Sequence, residues 1–159
     1  MPWAAIRSLP TASPPEADTG RTRSGQPFLA MEYVEGEPID RWCAARAPTP
    51  QARVRLFLKV CAAVQYAHRH LVIHRDLKPA NILVAAGDEP KLVDFGLALN
   101  LNKNMDCDST FIMGVGSPSY MSPEQVKGYQ LNQKTDLYSL GVVMFQLLTG
   151  RLPFRAKNQ

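Results

Sequence analysis

The feature that most constrains this fold is a polar run, HRDLKPAN, at residues 74–81, which lies between two short apolar triplets. The triplets, at residues 71–73 and 82–84, are built from Leu, Ile and Val and predict two short strands. A third triplet at residues 91–93 follows a turn sequence, AGDEP, and predicts a β-hairpin with the second. We therefore expect the polar run to form a loop held between short strands, with Asp94 directly after the last of them.

Two longer segments predict helices that would support this loop. Thr49 before Pro50 is a good helix start, because the hydroxyl can cap the helix and proline suits the first helical position. Apolar residues then recur at helical spacing up to about His70. A second, more apolar helix is expected at about residues 134–148, with Gly150 as its stop.

The remaining segments are expected to be short or irregular. Residues 28–34 predict a strand, residues 39–45 predict a short helix, and residues 96–123 predict a long loop in which glycine and proline recur. Residues 1–26 mix proline with Ser, Thr, Gly and Arg and show no apolar period. Such a segment cannot offset the entropy of its own ordering, so we predict that it is disordered and that residues 27–159 form one partial domain.

Composition narrows the class of protein. Hydrophobic residues make up 45% of the chain and charged residues 20%, which is the balance of a soluble globular protein. The net charge of +4 comes from scattered Lys and Arg, so we expect no nucleic-acid partner. The three cysteines show no CxxC spacing, which argues against a zinc site and a disulfide framework and favours the cytoplasm. The most apolar run, at residues 137–148, is too short to span a membrane.

The polar loops carry the groups that phosphoryl transfer requires. Asp76 and Asp94 supply carboxylates, and the same hairpin holds the amide of Asn81 and the ammonium of Lys78 on adjacent loops. A carboxylate can orient an attacking hydroxyl, oxygen ligands can hold Mg²⁺, and a cation can lie near the transferring phosphate. Oxygen ligands without clustered His or Cys favour Mg²⁺ over zinc.

These motifs resemble the signature of the protein kinase family, in which HRDLxxxN is followed by DFG. The resemblance implies an α+β fold: a kinase-like large lobe, mainly helical with short β-hairpins. It implies that Asp76 is the catalytic base and that Asn81 and Asp94 bind Mg²⁺. It also implies that Lys78 steadies the γ-phosphate of ATP. A lysine here followed by Pro79 is similar to the serine/threonine form of the loop, so proteins with Ser or Thr side chains are the implied substrates.

Two further segments resemble the same family. GSPSYMSPE at residues 116–124 is similar to the family's GTPxYMxPE, and its SPEQ ending is similar to the bacterial branch. Ser117 replaces the usual threonine and keeps a hydroxyl that could bond the acid and the lysine of the catalytic loop. DLYSLG, which begins at Asp136, resembles DxWSxG, and this implies that Asp136 accepts backbone hydrogen bonds from the catalytic loop. A plain carboxylate at a helix start is the alternative for this residue.

The nucleotide contacts are assigned by the resemblance alone. The run MEYV is similar to the hinge between the two kinase lobes. This similarity implies that the Glu32 carbonyl and the Val34 amide meet adenine, with Leu83 as the floor of the adenine site. A core strand with no ligand contact is the alternative.

The resemblance also suggests a means of regulation. Arg75 directly precedes the catalytic acid, an arrangement in which an arginine clamps a phosphorylated activation loop. Ser109 and Thr110 are the candidate phosphorylation sites, because they lie midway along residues 96–124. Loop hydroxyls with no regulatory role are the alternative. With Ser117, these residues complete the regulatory set that the sequence suggests.

The resemblance covers roughly residues 28–154 and begins in the middle of the family pattern. Before Phe28 there is no GxGxxG loop and no VAIK-like lysine, and the chain ends before the later helices of the large lobe. We therefore expect a domain that is incomplete at both ends. The missing parts align ATP, so we expect little phosphate transfer by this chain alone.

Two other functions remain open at this point. The chain could be a non-catalytic kinase-like binding module or an inactive gene fragment, although intact Asp76, Asn81 and Asp94 argue against a long-established loss of catalysis. It could also be a small-molecule phosphotransferase, whose loop typically reads HGDLHxxN. Arg75 and Lys78 replace the Gly and His of that pattern, which argues against this second alternative.

Overall fold

The computed structural model describes residues 18–21, 27–30, 33–94, 99–100 and 117–154. Its architecture is α+β and mainly helical, as the sequence predicts. The strands are β1 (Asp18–Arg21), β2 (Pro27–Ala30), β3 (Glu37–Pro38), β4 (Val72–Ile73), β5 (Ile82–Ala85), β6 (Glu89–Leu92) and β7 (Leu99–Asn100). The α-helices are α1 (Ile39–Arg46), α2 (Pro50–Arg69), α3 (Pro123–Val126) and α4 (Gln133–Thr149), and short 3₁₀ turns lie at Pro79–Asn81 and Pro118–Tyr120.

Helix α2 begins where the sequence places its cap. The Thr49 hydroxyl accepts a hydrogen bond from the Ala52 amide at 3.2 Å, and Pro50 occupies the first turn, where its missing amide hydrogen costs nothing. Cys61, on the predicted apolar stripe, is partly buried and packs against the core. Phe57 and Val64 of the predicted stripe are buried, whereas Leu58, which the helical spacing also placed on it, is 61% exposed. The buried face of α2 is completed by Leu56, Val60 and Ala67.

Helix α4 extends the predicted helix by one residue at each end. The Asn132 side chain caps it by accepting a hydrogen bond from the Lys134 amide at 2.9 Å, and Gly150 ends it in the left-handed region at φ 73°. The Arg53 guanidinium donates to the Leu147 carbonyl at 2.5 Å, which ties the start of α2 to the end of α4. This bond adds to the packing of α2 against α4.

The core lies where α1, α2 and α4 meet the β5–β6 hairpin. Leu77 is fully buried there, although it sits within the polar run of residues 74–81. Complete burial of a leucine side chain contributes about 1.5–3 kcal/mol, so Leu77 anchors the polar loop to the core. The other fully buried apolar residues of the cluster are Ile39, Val60, Ile82 and Val143.

The predicted hairpin is present. Strands β5 and β6 pair antiparallel with Leu83 opposite Lys91, and Pro38 of β3 lies opposite Leu83 on the other side of β5. Asp88, in the connecting turn, takes a left-handed φ of 57°, which a short polar side chain tolerates. Strand β4 pairs antiparallel with β7, with Ile73 opposite Leu99. The segment predicted as one long loop therefore contains a short strand.

The prediction for the amino-terminal segment is wrong in one place. Residues 1–26 were expected to lack structure, yet Asp18–Arg21 forms β1 and pairs antiparallel with β2, Thr19 lying opposite Leu29. Strand pairing satisfies backbone hydrogen bonds without requiring an apolar period, which is why composition does not reveal it. The rest of residues 1–26 lies outside the described residues. Over the described ranges, none of the helices combines the length and the apolar character needed to cross a membrane.

Candidate active site

The polar loop is fastened to helix α4 by Asp136. The Asp136 side chain is only 1% exposed, and its two oxygens accept hydrogen bonds from consecutive backbone amides: His74 N to Oδ2 and Arg75 N to Oδ1, each at 2.9 Å. A buried carboxylate is stabilised when such donors surround it. The expectation that Asp136 accepts backbone bonds from this loop is confirmed.

A third donor to Asp136 comes from a residue that the sequence did not single out. His68 Nε2 lies 2.8 Å from Asp136 Oδ2, and because a carboxylate only accepts, the imidazole donates. A signal for this contact exists, since His68 follows buried Val64 by four residues and therefore shares its face of α2. Helical spacing thus places His68 on the buried face, but only the fold shows that an acid faces it.

Asp76, Lys78 and Asn81 form one hydrogen-bonded cluster. Lys78 Nζ lies 2.6 Å from Asp76 Oδ2, and the Asn81 Nδ2 group donates to Asp76 Oδ2 at 3.2 Å and to the Asp76 carbonyl at 2.9 Å. Both bonds from Asn81 use its amide nitrogen. The amide oxygen is therefore the atom of Asn81 that can ligate a cation. Only 10% of the Asp76 side chain is exposed, so its pairing with Lys78 is sheltered from water.

Backbone contacts bring the end of the hairpin against the same cluster. The Val93 amide donates to the Asn81 carbonyl at 3.0 Å, and the Val93 carbonyl accepts from His74 Nε2 at 3.1 Å. Asp94 follows directly and takes a left-handed φ of 61°, an uncommon conformation for a residue with a side chain. Val93, directly before Asp94, is thus held through both its amide and its carbonyl by the loop that carries Asp76.

The hydrogen bonds of His74 define its protonation state. Its Nε2 faces the Val93 carbonyl and must donate, whereas its Nδ1 lies 3.4 Å from the Asp76 amide and must accept. Only the neutral imidazole satisfies both. Burial lowers the pKa of His74, although the charges of Asp136, Asp76 and Asp94 and the bond to Val93 oppose that shift.

The oxygen donors present fit Mg²⁺. Asn81 and Asp94 offer an amide oxygen and a carboxylate, and Mg²⁺ is usually bound by one or two carboxylates together with substrate phosphates. In the part of the chain that the structure describes, no group of three or more His, Cys, Asp or Glu side chains is placed to hold a metal ion by itself. The residues present therefore suit a cation that arrives with a phosphate.

The segment from Ser117 to Val126 packs beside this loop. The Gln125 side chain donates to the Arg75 carbonyl at 2.7 Å, a contact that the sequence did not predict although SPEQ contains a capping-box pattern. Ser117 was expected to bond Asp76 and Lys78, but among the described residues its hydroxyl bonds neither. Lys78 is paired with Asp76 directly instead.

The remaining predicted residues are placed as follows. Leu83 is half-buried on β5, and the chain at Gly36 runs against it so closely that an added Cβ would lie 3.1 Å from the Leu83 Cβ. Val34 is half-buried just before that approach. Arg75 has a left-handed φ of 70°, and burial lowers the pKa of its guanidinium while Asp136 opposes the shift. Three predicted residues lie outside the described residues: Glu32, Ser109 and Thr110.

A helix-backed hairpin that presents HRDLKPAN beside an Asp-terminated strand defines a protein-kinase-like large lobe. Comparison with known proteins gives the same result, because residues 21–159 match the family model described as protein kinase domain. The chain belongs to the protein kinase family. This membership confirms the predicted family and fold class.

Three similar relatives are bacterial kinases. The chain is 42% identical to the serine/threonine-protein kinase pkn3 of Myxococcus xanthus, over 89% of this chain and 27% of that protein. It is 38% identical to the serine/threonine-protein kinase PrkC of Bacillus subtilis and 35% identical to the serine/threonine-protein kinase PknB of Mycobacterium leprae. Those matches cover 82% and 86% of this chain, and 20% and 22% of the relatives. The chain thus spans about a quarter or less of the length of these relatives.

Proposed function

We propose that this chain forms the catalytic-loop part of a serine/threonine protein kinase, which transfers the γ-phosphate of ATP to Ser or Thr hydroxyls of proteins. The observation that carries the proposal is the environment of the Asp76 carboxylate. It is held by Lys78 at 2.6 Å and Asn81 at 3.2 Å, beside a loop that ends in Asp94. A fixed carboxylate next to a cation and two oxygen ligands suits in-line transfer of a phosphoryl group.

The roles of the side chains follow from their chemistry. The hydroxyl oxygen of the substrate forms a bond to the γ-phosphorus, the bond from that phosphorus to the bridging oxygen breaks, and ADP leaves. Asp76 orients the hydroxyl and receives its proton. Lys78 is close enough to Asp76 to share its positive charge between that carboxylate and the γ-phosphate.

The Asn81 amide oxygen and the Asp94 carboxylate are the proposed Mg²⁺ ligands. Bound Mg²⁺ would neutralise charge on the phosphates during transfer. Asn81 orients its oxygen for this role because its nitrogen is already engaged by Asp76. By resemblance to the family, the adenine site would lie at Leu83 of β5, with the Val34 amide and the Glu32 carbonyl as its polar contacts.

The regulatory proposals rest on the resemblance to the family, and the expectations about location and nucleic acid rest on the cysteine and charge patterns of the sequence. Arg75 would clamp a phosphate carried by Ser109 or Thr110. The implied partners are ATP and proteins with Ser or Thr side chains, without nucleic acid. Use of ATP with Mg²⁺ and the absence of a disulfide between Cys43 and Cys61 among the described residues agree with a cytoplasmic location.

The test is phosphate transfer from labelled ATP to a generic protein substrate in the presence of Mg²⁺. Asp76→Asn keeps the shape of the side chain and removes the base, so we expect transfer to fall at least about a hundredfold. Asp88→Asn is the matched control, because Asp88 lies in the exposed hairpin turn where asparagine tolerates the left-handed conformation. Equal transfer by wild type and Asp76→Asn contradicts the proposal.

A second measurement does not depend on turnover. The sequence shows no glycine-rich loop or strand lysine of the kind that aligns ATP, so we expect slow transfer by this chain alone. Binding of a fluorescent ATP analogue should nevertheless strengthen with Mg²⁺, and Asp94→Asn should abolish that Mg²⁺ dependence while Asp88→Asn keeps it. An affinity for the ATP analogue that changes neither with Mg²⁺ nor with the Asp94→Asn substitution argues against the proposed site.

A further inference from the structure

We propose that Gln125 is a positioning residue for Asp76, which couples the segment from Ser117 to Val126 to the catalytic loop. The catalytic meaning of this inference rests on the proposed function, but the contacts that support it do not. Gln125 is 6% exposed and is the third residue of the short helix α3. Its effect on Asp76 acts through the neighbouring Arg75.

The side-chain amide of Gln125 is engaged at both ends. Its Oε1 accepts from the Ser122 amide at 3.0 Å, and its Nε2 donates to the Arg75 carbonyl at 2.7 Å. The orientation of the amide is fixed by these partners, because a flipped amide would set donor against donor and acceptor against acceptor. The side chain of Gln125 thus links the Ser122 amide to the Arg75 carbonyl of the catalytic loop.

That carbonyl belongs to the peptide group that joins Arg75 to Asp76. The oxygen of this peptide is held by Gln125, and its N–H, which is the Asp76 amide, points to His74 Nδ1 at 3.4 Å. A peptide unit is planar, so fixing both its oxygen and its nitrogen fixes the direction in which the Asp76 backbone starts. The bond from Gln125 is the shorter of the two and is therefore the stronger restraint.

Arg75 needs such restraint because its conformation is uncommon. Its φ of 70° lies in the left-handed region, which costs free energy for a residue with a Cβ and persists where surrounding contacts determine it. Asp136 holds the Arg75 amide at 2.9 Å from helix α4, and Gln125 holds the carbonyl from α3. Both backbone groups of one strained residue are thus held by side chains from two different elements.

The side chain of Gln125 links the Ser117–Val126 segment to the catalytic loop. The Ser117–Val126 segment is anchored on α4, where Ser139 donates to the Tyr120 carbonyl at 2.8 Å and Tyr120 donates to Gln146 at 2.6 Å. Because Gln125 lies in α3, a displacement of α3 away from the catalytic loop stretches or breaks its bond to the Arg75 carbonyl. Gln125 therefore makes the alignment of Asp76 depend on the position of the Ser117–Val126 segment.

The test compares two substitutions in the same capping box. Gln125→Leu keeps the approximate volume and removes both side-chain bonds, whereas Ser122→Ala removes the hydroxyl that caps α3 and leaves the Arg75 carbonyl paired. Amide hydrogen exchange of the 159-residue chain is measured for both. We expect exchange at Arg75 and Asp76 to rise about tenfold in Gln125→Leu and to change less than about twofold in Ser122→Ala.

A third variant provides a readout that a purely structural role would not produce. In Gln125→Glu the introduced carboxylate cannot donate to the Arg75 carbonyl, but its protonated form can. Exchange at Arg75 relative to wild type should therefore be fast near neutral pH and recover as the introduced carboxyl becomes protonated. No recovery in acid, or equal exchange at Arg75 in Gln125→Leu and Ser122→Ala, overturns the inference.

Activity separates this inference from the proposed function. Where wild type transfers phosphate, Gln125→Leu should lower kcat about tenfold or more with little change in the KM for ATP, because alignment and not nucleotide contact is lost. Should wild type transfer no phosphate and bind the ATP analogue without Mg²⁺ dependence, the proposed function fails for this chain while hydrogen exchange still decides the positioning role. A change in KM alone contradicts the positioning role.

Discussion

Replacing Asp136 with asparagine should loosen the catalytic loop. The two Asp136 oxygens accept three hydrogen bonds, from the His68 ring and from the amides of His74 and Arg75, at 2.8–2.9 Å. Asparagine has one acceptor oxygen, so at best it keeps the two bonds to Oδ2. Its NH₂ group then faces the Arg75 amide, donor against donor.

The magnitude follows from those bonds. A hydrogen bond to a charged group contributes about 1.5–3 kcal/mol, so losing one bond and weakening two others should cost about 3 kcal/mol. Small domains have a free energy of unfolding of about 5–15 kcal/mol, so this cost is a large fraction of the total. Arg75 should also lose the restraint that holds its left-handed conformation.

The assay is urea unfolding of wild type, Asp136→Asn and the surface control Asp88→Asn, with amide hydrogen exchange at His74 and Arg75. We expect the control to stay within about 0.5 kcal/mol of wild type. Asp136→Asn should show the large loss of unfolding free energy together with faster exchange at both loop amides. An unfolding free energy within about 0.5 kcal/mol of wild type would refute the reasoning that Asp136 holds the loop.

Three further predictions concern protonation and the cation. Burial lowers the pKa of His74, so between its unfolded and folded pKa values only the unfolded chain gains a proton. The free energy of unfolding should therefore fall as pH drops below about 6.5. Urea unfolding of the His74→Gln variant should show a flatter dependence on pH. Burial alone would raise the pKa of Glu124, but hydrogen bonds from its own backbone amide and from the Ser122 and Thr135 hydroxyls lower it. Ionised Glu124 therefore stabilises the fold above its unfolded pKa, and this stabilisation is lost as pH falls through the lower folded pKa. Thr135→Val removes one of these hydrogen bonds, so its free energy of unfolding should depend less on pH between those two pKa values. Asn81→Ala should raise the Mg²⁺ concentration needed for binding of the ATP analogue about tenfold or more, and an unchanged requirement would argue against its amide oxygen as a ligand.

The parts of the fold that the sequence predicts are those governed by local chemistry. Thr49 and Pro50 mark the start of α2, Gly150 marks the end of α4, and the AGDEP turn marks the hairpin. The candidate catalytic residues were found because their types and spacing match one motif. The resemblance to the family predicted that Asp136 accepts backbone hydrogen bonds from the catalytic loop, and the structure confirms these bonds.

The parts that the sequence does not predict depend on contacts between distant residues. The pairing of β1 with β2 uses backbone groups that every residue carries, so residue type gives little warning of it. The strand β7 has two residues and pairs with β4 across more than twenty positions of chain. His68 and Gln125 lie in patterns that suggest a helix face and a helix cap, but neither pattern names its partner, which is Asp136 on α4 for His68 and the Arg75 carbonyl of the catalytic loop for Gln125.

The proposed function depends most directly on a divalent cation held by Asp94 and Asn81 beside the Asp76 loop. Mn²⁺ can replace Mg²⁺ and broadens NMR signals of nuclei near it, so it reports the site directly when added with a non-hydrolysable ATP analogue. We expect broadening at the amides of residues 76–78, 80, 81 and 94, sharp signals at Asp88, and loss of the effect in Asp94→Asn. Broadening that is absent from the 76–81 loop, or that persists in Asp94→Asn, would contradict the proposed cation site.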